Sequence, residues 1–312
     1  MDHKRLPPAG VGYGWCQVDT QGGLSGSRLK YLGDPHIVNQ NGLAFLLPYL
    51  EQGGLYARLD RTKAFSLAMS PLGVIFASPT GPSIQAPNGS NPVQNGSSFS
   101  PADLDLARNP NLALMSTQLE VFRCPSDPGD PVIPADAASP SPLINWPLTP
   151  VVGVGGSFTG AKTNYDFVTR AHMERLCNSW PLHLASSGEG GQYMFGQNSN
   201  CRVAQVTDGM SNTLMLAETC YTVFGADRGG CPAWGYRAWA MTGIDPSFDI
   251  NRWQVGHYGT LGAFGRAGSM HHPGGCNFAF GDGSVRFLRE SATTETLRAL
   301  STINGNEVAF ID

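Results

Sequence analysis

Residues Gly268–Leu288 read GSMHHPGGCNFAFGDGSVRFL, and this stretch decides the fold. Cys276–Phe280 is an apolar and aromatic run that indicates a buried strand. Ser284–Leu288 alternates between two faces, as a second strand would. Between them, Gly281–Gly283 predicts a tight turn, because Asp-Gly tolerates the positive φ angles of primed turns. We therefore predict an antiparallel hairpin, entered through a proline- and glycine-rich bend at His271–Gly275.

The two ends of this signature have separate roles in the prediction. Nine residues separate His272 from Asp282. A fully extended strand of that length places them about 30 Å apart, too far for a catalytic pair. We expect His272 to shape the bend into the strand, and Asp282 with Gly283 to shape the turn out of it. The signature then specifies a hairpin and not a reaction.

The composition favours short strands and ordered loops over a helical bundle. Charged residues make up 14% of the 312 residues, with 39 glycines and 23 prolines. The net charge of -4, without a basic run, argues against a nucleic-acid partner. No stretch approaches the roughly 20 apolar residues of a membrane span. A chain of this length can bury a sizeable core.

Three further segments have a recognisable pattern. Gly42–Asp60 has leucines at helical spacing, but Pro48 disturbs them, so two short helices or one kinked helix are predicted. Thr294–Ser301 predicts a short amphipathic helix. Leu214–Glu218 predicts a strand. We expect the carboxylate of Glu218, at the end of that strand, to be partly buried and paired with an arginine.

The hairpin signature also carries a resemblance. The His-x9-Asp-Gly spacing, the aromatic residues inside it and the Gly-Ser-Val-Arg-Phe-Leu exit resemble the C-terminal signature of a bacterial pseudopilin-like family, mostly of unknown function and often labelled type II secretion G-like. Five other segments match that family in the same order. They are Leu6–Gly10 (LPPAG), Gly42–Tyr56 (GLAFLLPYLEQGGLY), Phe122–Pro128 (FRCPSDP), Thr163–Tyr165 (TNY) and Val206–Glu218 (VTDGMSNTLMLAE).

The resemblance implies an α+β fold, a pilin-like antiparallel β-sheet packed on short helices with long Gly/Pro-rich loops. Residues 1–10 would be the truncated end of an N-terminal helix and linker, and residues 11–312 one globular domain. A proline-rich loop insertion is expected at about 65–103 and a variable loop at about 221–260. The family begins with a prepilin-type cleavage site and an apolar helix, so the resemblance implies a periplasmic or extracellular protein that only this helix anchors in the membrane.

The chain has seven cysteines, an odd number, and none in Cys-x2-Cys spacing, so a zinc site is not predicted. We expect an exported protein with the disulfides Cys220–Cys231 and Cys177–Cys201; buried thiols in a reducing compartment are the alternative. The resemblance further implies that Cys124 pairs with a cysteine near the end of the missing helix.

Two kinds of ligand site remain open. Aromatic residues are dense between 221 and 258, where Trp234, Trp239 and Trp253 could form a carbohydrate-stacking platform or part of the core. Calcium is conceivable, with its candidate ligands all aspartates. They are Asp245, Asp249 and Asp282.

No catalytic arrangement emerges from the sequence. It has no Gly-x-Ser-x-Gly elbow, no phosphate loop and no His-Glu-x-x-His. Cys276 follows His272 by four residues, but on a strand the two would not converge. We therefore expect a non-enzymatic protein without a cofactor that assembles with other pseudopilin-like subunits or with envelope and secretion components. The alternative is an exported carbohydrate- or solute-binding module that uses the tryptophan-rich region.

Overall fold

The computed structural model describes the signature hairpin and most of the segments that surround it. The described residues are 5–11, 38–66, 101–105, 107–133, 159–169, 192–196, 198–220, 233–236, 243–254, 257–261, 266–269 and 272–307. Most of the predicted insertion at 65–103 lies outside them, as do much of the variable loop, Cys177, Cys231 and Trp239. The prediction of one domain over 11–312 stays a prediction.

The described strands are short and pair in antiparallel fashion. They are β1 (Gly10–Val11), β2 (Gln40–Asn41), β3 (Val132–Ile133), β4 (Gly160–Ala161), β5 (Tyr165–Phe167), β6 (Leu214–Glu218), β7 (Trp253–Gln254), β8 (His257–Leu261), β9 (Gly275–Phe280) and β10 (Val285–Arg289). Together with short helices they make an α+β fold, as expected.

The helices are also short. The α-helices are α1 (Gly53–Arg58), α2 (Pro101–Leu104), α3 (Pro110–Leu114) and α4 (Thr294–Ala299), and the 3-10 helices are Gly42–Tyr49, Glu120–Phe122, Val203–Gln205 and Met210–Asn212. Across the described ranges, none of the helices has the length and apolar character needed to cross a membrane.

The largest described sheet has the strand order β10-β9-β6-β5, with the predicted hairpin as two of its members. The turn is closed by the Phe280 N–H, which donates to the Ser284 carbonyl at 2.8 Å, and by the Gly283 N–H, which donates to the Phe280 carbonyl at 2.9 Å. Gly283 has φ +85°, a conformation that residues with a β-carbon rarely adopt. The predicted hairpin and the predicted strand that ends at Glu218 are both confirmed, and the structure pairs β6 with β9.

The leucine-rich segment breaks where the sequence indicates. A 3-10 helix containing Pro48 ends at Tyr49, and α1 begins at Gly53. The Asn41 side chain caps the first of these helices by accepting the Leu43 N–H at 3.0 Å. Two short helices are therefore confirmed, because proline removes a donor and prevents one continuous α-helix.

Two apolar clusters hold the described part of the chain together. One contains the buried residues Leu214, Phe278, Phe280 and Leu288 of the sheet with Leu297 and Leu300 at α4. The other packs the 3-10 helix against β5 and a group of aromatic residues, including Phe65, Phe122, Phe167, Phe195 and Trp234. Alternate residues of a strand point to opposite faces, so the two clusters belong to opposite faces of the sheet.

The N-terminal segment is bound along its length to residues 196–202. The Leu6 N–H donates to the Cys201 carbonyl at 2.8 Å, and the Ala9 N–H donates to Gly196 at 3.1 Å. From the other side, the Gly42 N–H donates to the Ala9 carbonyl at 2.8 Å. A β-carbon at Gly42 would overlap the Pro8 carbonyl oxygen, so the close approach requires glycine.

Candidate functional site

A polar row crosses the face of the sheet opposite α4. Tyr165 on β5 lies directly opposite Glu218 on β6, and Asn277 on β9 lies opposite Phe287 on β10. Hydrogen bonds between Glu218 and Asn277 join the two pairs. The row therefore runs across the sheet from β5 to β10 and ends at Phe287, which is 45% exposed.

Glu218 is the centre of this row and is buried. Its Oε2 accepts the backbone N–H of Asn277 at 2.7 Å, and its Oε1 accepts the Asn277 side-chain amide at 3.1 Å. The side chain that meets Glu218 is His272, whose Nδ1 lies 3.1 Å from Oε2. The arginine partner expected from the sequence is thus wrong, because the bend before β9 places an imidazole over the carboxylate.

Cys124 reaches the same place from another part of the chain. Its backbone N–H donates to Asn164 Oδ1 at 2.8 Å. The Asn164 amide in turn donates to Asp127 Oδ2 at 2.7 Å and to the Thr219 carbonyl at 3.0 Å. A single buried asparagine therefore ties the Phe122–Pro128 turn to the end of β6.

Three side chains with metal-binding chemistry converge here. The Cys124 sulfur, a Glu218 carboxylate oxygen and a His272 ring nitrogen all lie within 4.8 Å of one another. Next to them, burial raises the pKa of the Tyr165 hydroxyl to about 12, and negative charge on Cys124 and Glu218 adds to the effect. No spacing in the sequence indicated this group, although each of the three residues lies in a segment that carries the family resemblance.

The structural roles expected at the two ends of β9 agree with the contacts. Asp282 accepts the Ser284 N–H at 2.9 Å and the Ser284 hydroxyl at 2.7 Å, both at the turn. The hydrogen bond from the Ser284 hydroxyl is the largest cause that lowers the Asp282 pKa. His272 precedes the strand, and its carbonyl accepts the Gly275 N–H at 3.4 Å. His272 also does more than shape the bend, because it contacts Glu218.

The three calcium candidates have separate environments. Asp245 is buried and accepts the Ser247 N–H at 2.8 Å, and its burial raises its pKa. Asp249 lies 3.9 Å from Arg252, and Asp282 is taken up in the hairpin turn. Within the ranges that the structure describes, they share no group of potential metal ligands. The proposed calcium set is therefore not assembled.

The carbohydrate-platform interpretation is wrong for Trp234. This side chain is 0% exposed, its Nε1 donates to the Thr117 carbonyl at 2.8 Å, and its ring stacks on Phe122 at 6.3 Å between centroids. Trp253 is partly buried on β7, and Trp239 lies outside the described residues. Trp234 belongs to the core, the alternative that the sequence left open.

The cysteines correct one disulfide prediction. Cys201 is a buried thiol whose pKa burial raises to about 11, so the expected Cys177–Cys201 disulfide is not formed in this structure. Cys220 is buried, and because Cys231 lies outside the described residues, Cys220–Cys231 stays a prediction. Burial first, and then the charges of Glu218 and Cys220, raise the Cys276 pKa well above its usual value, which argues against a nucleophilic role.

Fold and site together define an α+β protein whose antiparallel sheet carries a buried Glu–Asn–His network with a cysteine beside it. A family model described as "Protein of unknown function (DUF1559)" matches residues 1–295. The chain belongs to this family. Neither among the curated proteins nor among the solved structures was a match to the chain found.

Proposed function

We propose that this protein is a non-enzymatic, pseudopilin-like subunit of the bacterial envelope that acts outside the cytoplasm and assembles with copies of itself or with related subunits. An apolar helix ahead of residue 1 would anchor it. The observation that supports this proposal best is that the segments carrying the resemblance contact one another in the fold. Such a framework is what a structural subunit needs.

The hydrogen bonds form two series, which meet in the apolar cluster that contains Ala9, Leu43 and Phe122. Leu6–Gly10 meets Gly42–Tyr56 through the bond between Gly42 and Ala9. Phe122–Pro128 meets Thr163–Tyr165 through Asn164, which also binds Thr219 next to the end of Val206–Glu218. Glu218 then binds His272 and Asn277 of the signature stretch. Most of the polar groups named here thus hold backbone or each other, which is the role of a scaffold.

The hairpin offers a surface for assembly. β10 ends the strand order of the sheet, and its outward residues Val285 and Phe287 are 65% and 45% exposed. An edge strand with apolar outward side chains favours pairing with another chain. We assign this edge to contacts between subunits.

Photo-crosslinking in the natural host tests the proposal. The full-length protein carries p-benzoylphenylalanine in place of Phe287, or of the exposed Arg108 as the matched control. We expect fractionation to place the protein with the membrane, and mass spectrometry to identify pilin-like subunits cross-linked at position 287 and not at position 108. A soluble monomer without cross-links would overturn the proposal, and equal cross-linking at both positions would remove β10 as the contact.

A further inference from the structure

We propose that Cys124, Glu218 and His272 form a zinc site with three protein ligands and one open position. This inference goes beyond the structural function proposed above, since a scaffold needs no metal. It rests on the convergence of three different ligand types from three distant parts of the chain at one place.

The spacing of the three ligand atoms suits a tetrahedral ion. Zinc binds nitrogen and oxygen at about 2.0–2.2 Å and sulfur at about 2.3 Å, so neighbouring ligand atoms lie about 3.2–3.8 Å apart. His272 Nδ1 and Glu218 Oε2 are 3.1 Å apart, and all three ligand atoms lie within 4.8 Å of one another. Side-chain adjustments of less than about 1 Å per ligand would bring the set to zinc geometry.

The donor types favour zinc over calcium and magnesium. A thiolate and an imidazole suit zinc, whereas calcium and magnesium require oxygen ligands. When bound to a metal as thiolate and carboxylate, Cys124 and Glu218 would bring two negative charges together on buried side chains. A divalent cation between them would replace their repulsion with attraction.

Hydrogen bonds from neighbouring residues orient two of the three ligands. Asn277 holds both oxygens of Glu218, and Asn164 holds the backbone of Cys124. Hydrogen bonds behind the ligands are a regular feature of metal sites, because they orient each ligand before the metal arrives. The side chain of His272 is 28% exposed, so the site opens on its side, where water would complete the coordination.

The zinc site and the disulfide implied by the family resemblance exclude each other. A Cys124 that pairs with a cysteine of the preceding helix has no thiolate to give to a metal. The state of the Cys124 sulfur in the full-length protein therefore decides between them.

The first experiment measures zinc binding by the chain of residues 1–312. Protein stripped with a chelator is titrated with zinc against a chromophoric competitor, and cobalt(II) is added separately as a spectroscopic probe. We expect one zinc per chain and, with cobalt, the charge-transfer absorption of a cobalt–thiolate bond. Cys124→Ser and His272→Gln should each weaken zinc binding about 100-fold or more and Cys124→Ser should remove the cobalt–thiolate band.

Matched controls separate ligand loss from general damage. Cys201→Ala removes a buried thiol elsewhere, and His257→Gln removes a histidine from β8; both should keep the wild-type affinity. Circular dichroism checks that each variant folds. If Cys124→Ser does not fold, protection of Cys124 from iodoacetamide by zinc in the wild-type chain, mapped by mass spectrometry, gives the second readout.

Four outcomes would overturn the proposal. They are the absence of stoichiometric zinc binding, equal binding by Cys124→Ser and the wild type, alkylation of Cys124 at the same rate with and without zinc, and a disulfide at Cys124 in the full-length protein. None of these depends on membrane retention or cross-linking, so this site and the proposed function fail independently.

Discussion

The two faces of the β10-β9-β6-β5 sheet use alternating residues of the same strands, yet they have different chemistry. One face buries Phe278 and Phe280 in a cluster that α4 completes. The other carries the Glu218–Asn277 pair in its row and ends at the exposed Phe287. Apolar packing dominates the first face. The second face has an apolar cluster of its own, which includes Phe167, and adds a polar row in which each donor must meet an acceptor. The candidate site thus lies on one side of the sheet, although apolar packing stabilises both sides.

The largest effect is expected on the apolar face. Phe280→Ala should lower the free energy of unfolding by about 3–5 kcal/mol, because it empties a fully buried site. Phe287→Ala, on the other face, should cost about 1 kcal/mol or less. Urea denaturation of both variants measures the difference, and equal losses would break the contrast between the faces.

A smaller loss is expected at the polar row. Glu218→Ala leaves the backbone N–H and side-chain amide of Asn277 without their acceptor, which should cost about 1–3 kcal/mol. Glu218→Gln keeps one carbonyl oxygen for the backbone N–H and should lose less. Thermal unfolding in the presence of a chelator separates this effect from metal binding. If Glu218→Ala left the melting temperature unchanged, the row would not stabilise the fold.

The turn that joins β9 to β10 connects two strands whose side chains lie on both faces of the sheet. Gly283→Ala places a β-carbon at φ +85°, which should cost about 1–2 kcal/mol although nothing obstructs the added atom. Gly53→Ala is the matched control, because its surroundings are also open but its backbone is helical. That control should be neutral or stabilising by up to about 1 kcal/mol. Equal behaviour in chemical denaturation would refute conformational strain as the cause.

The smallest effect concerns a carboxyl group near the apolar side. Burial raises the Asp245 pKa, with nearby Arg298 and Arg266 opposing it. The protonated Asp245 carboxyl is favoured in the folded state. Its contribution to folding stability is therefore fully present below the unfolded pKa of about 3.8 and is lost as the pH rises through the folded pKa. Asp245→Asn should therefore be more stable than the wild type near pH 7, and the difference should close in acid. A difference in melting temperature that stays constant with pH would contradict this account.

Local chemistry made the hairpin, the interrupted leucine-rich segment and α4 predictable. Asp282 and Gly283 specify the turn, and the spacing of Leu297 and Leu300 gives α4 its buried side. Pro48 excludes one continuous α-helix from the leucine-rich segment, which divides just after it. Each of these signals lies within a few residues of the structure that it determines. The disulfide and calcium expectations had no such local constraint, because spacing along a chain does not fix which loops meet.

The site was not predictable in the same way. Glu218 and His272 are 54 residues apart, and only the pairing of β6 with β9 brings them together. The sequence offered Cys276 as the cysteine near His272, but alternation along the strand turns Cys276 into the apolar core. Cys124 instead lies in a loop that Asn164 holds in place, and no periodicity in the sequence indicates such a contact.

The binding of the N-terminal segment to residues 196–202 has a mechanical consequence. Tension applied ahead of residue 5 along this segment loads the bonds of Leu6 and Ala9 together, in shear. These bonds must rupture, and Ala9 must leave its place against Gly42, before this segment separates from the rest of the described fold. A tether at this end would therefore pull on several hydrogen bonds at once, and they would resist detachment together.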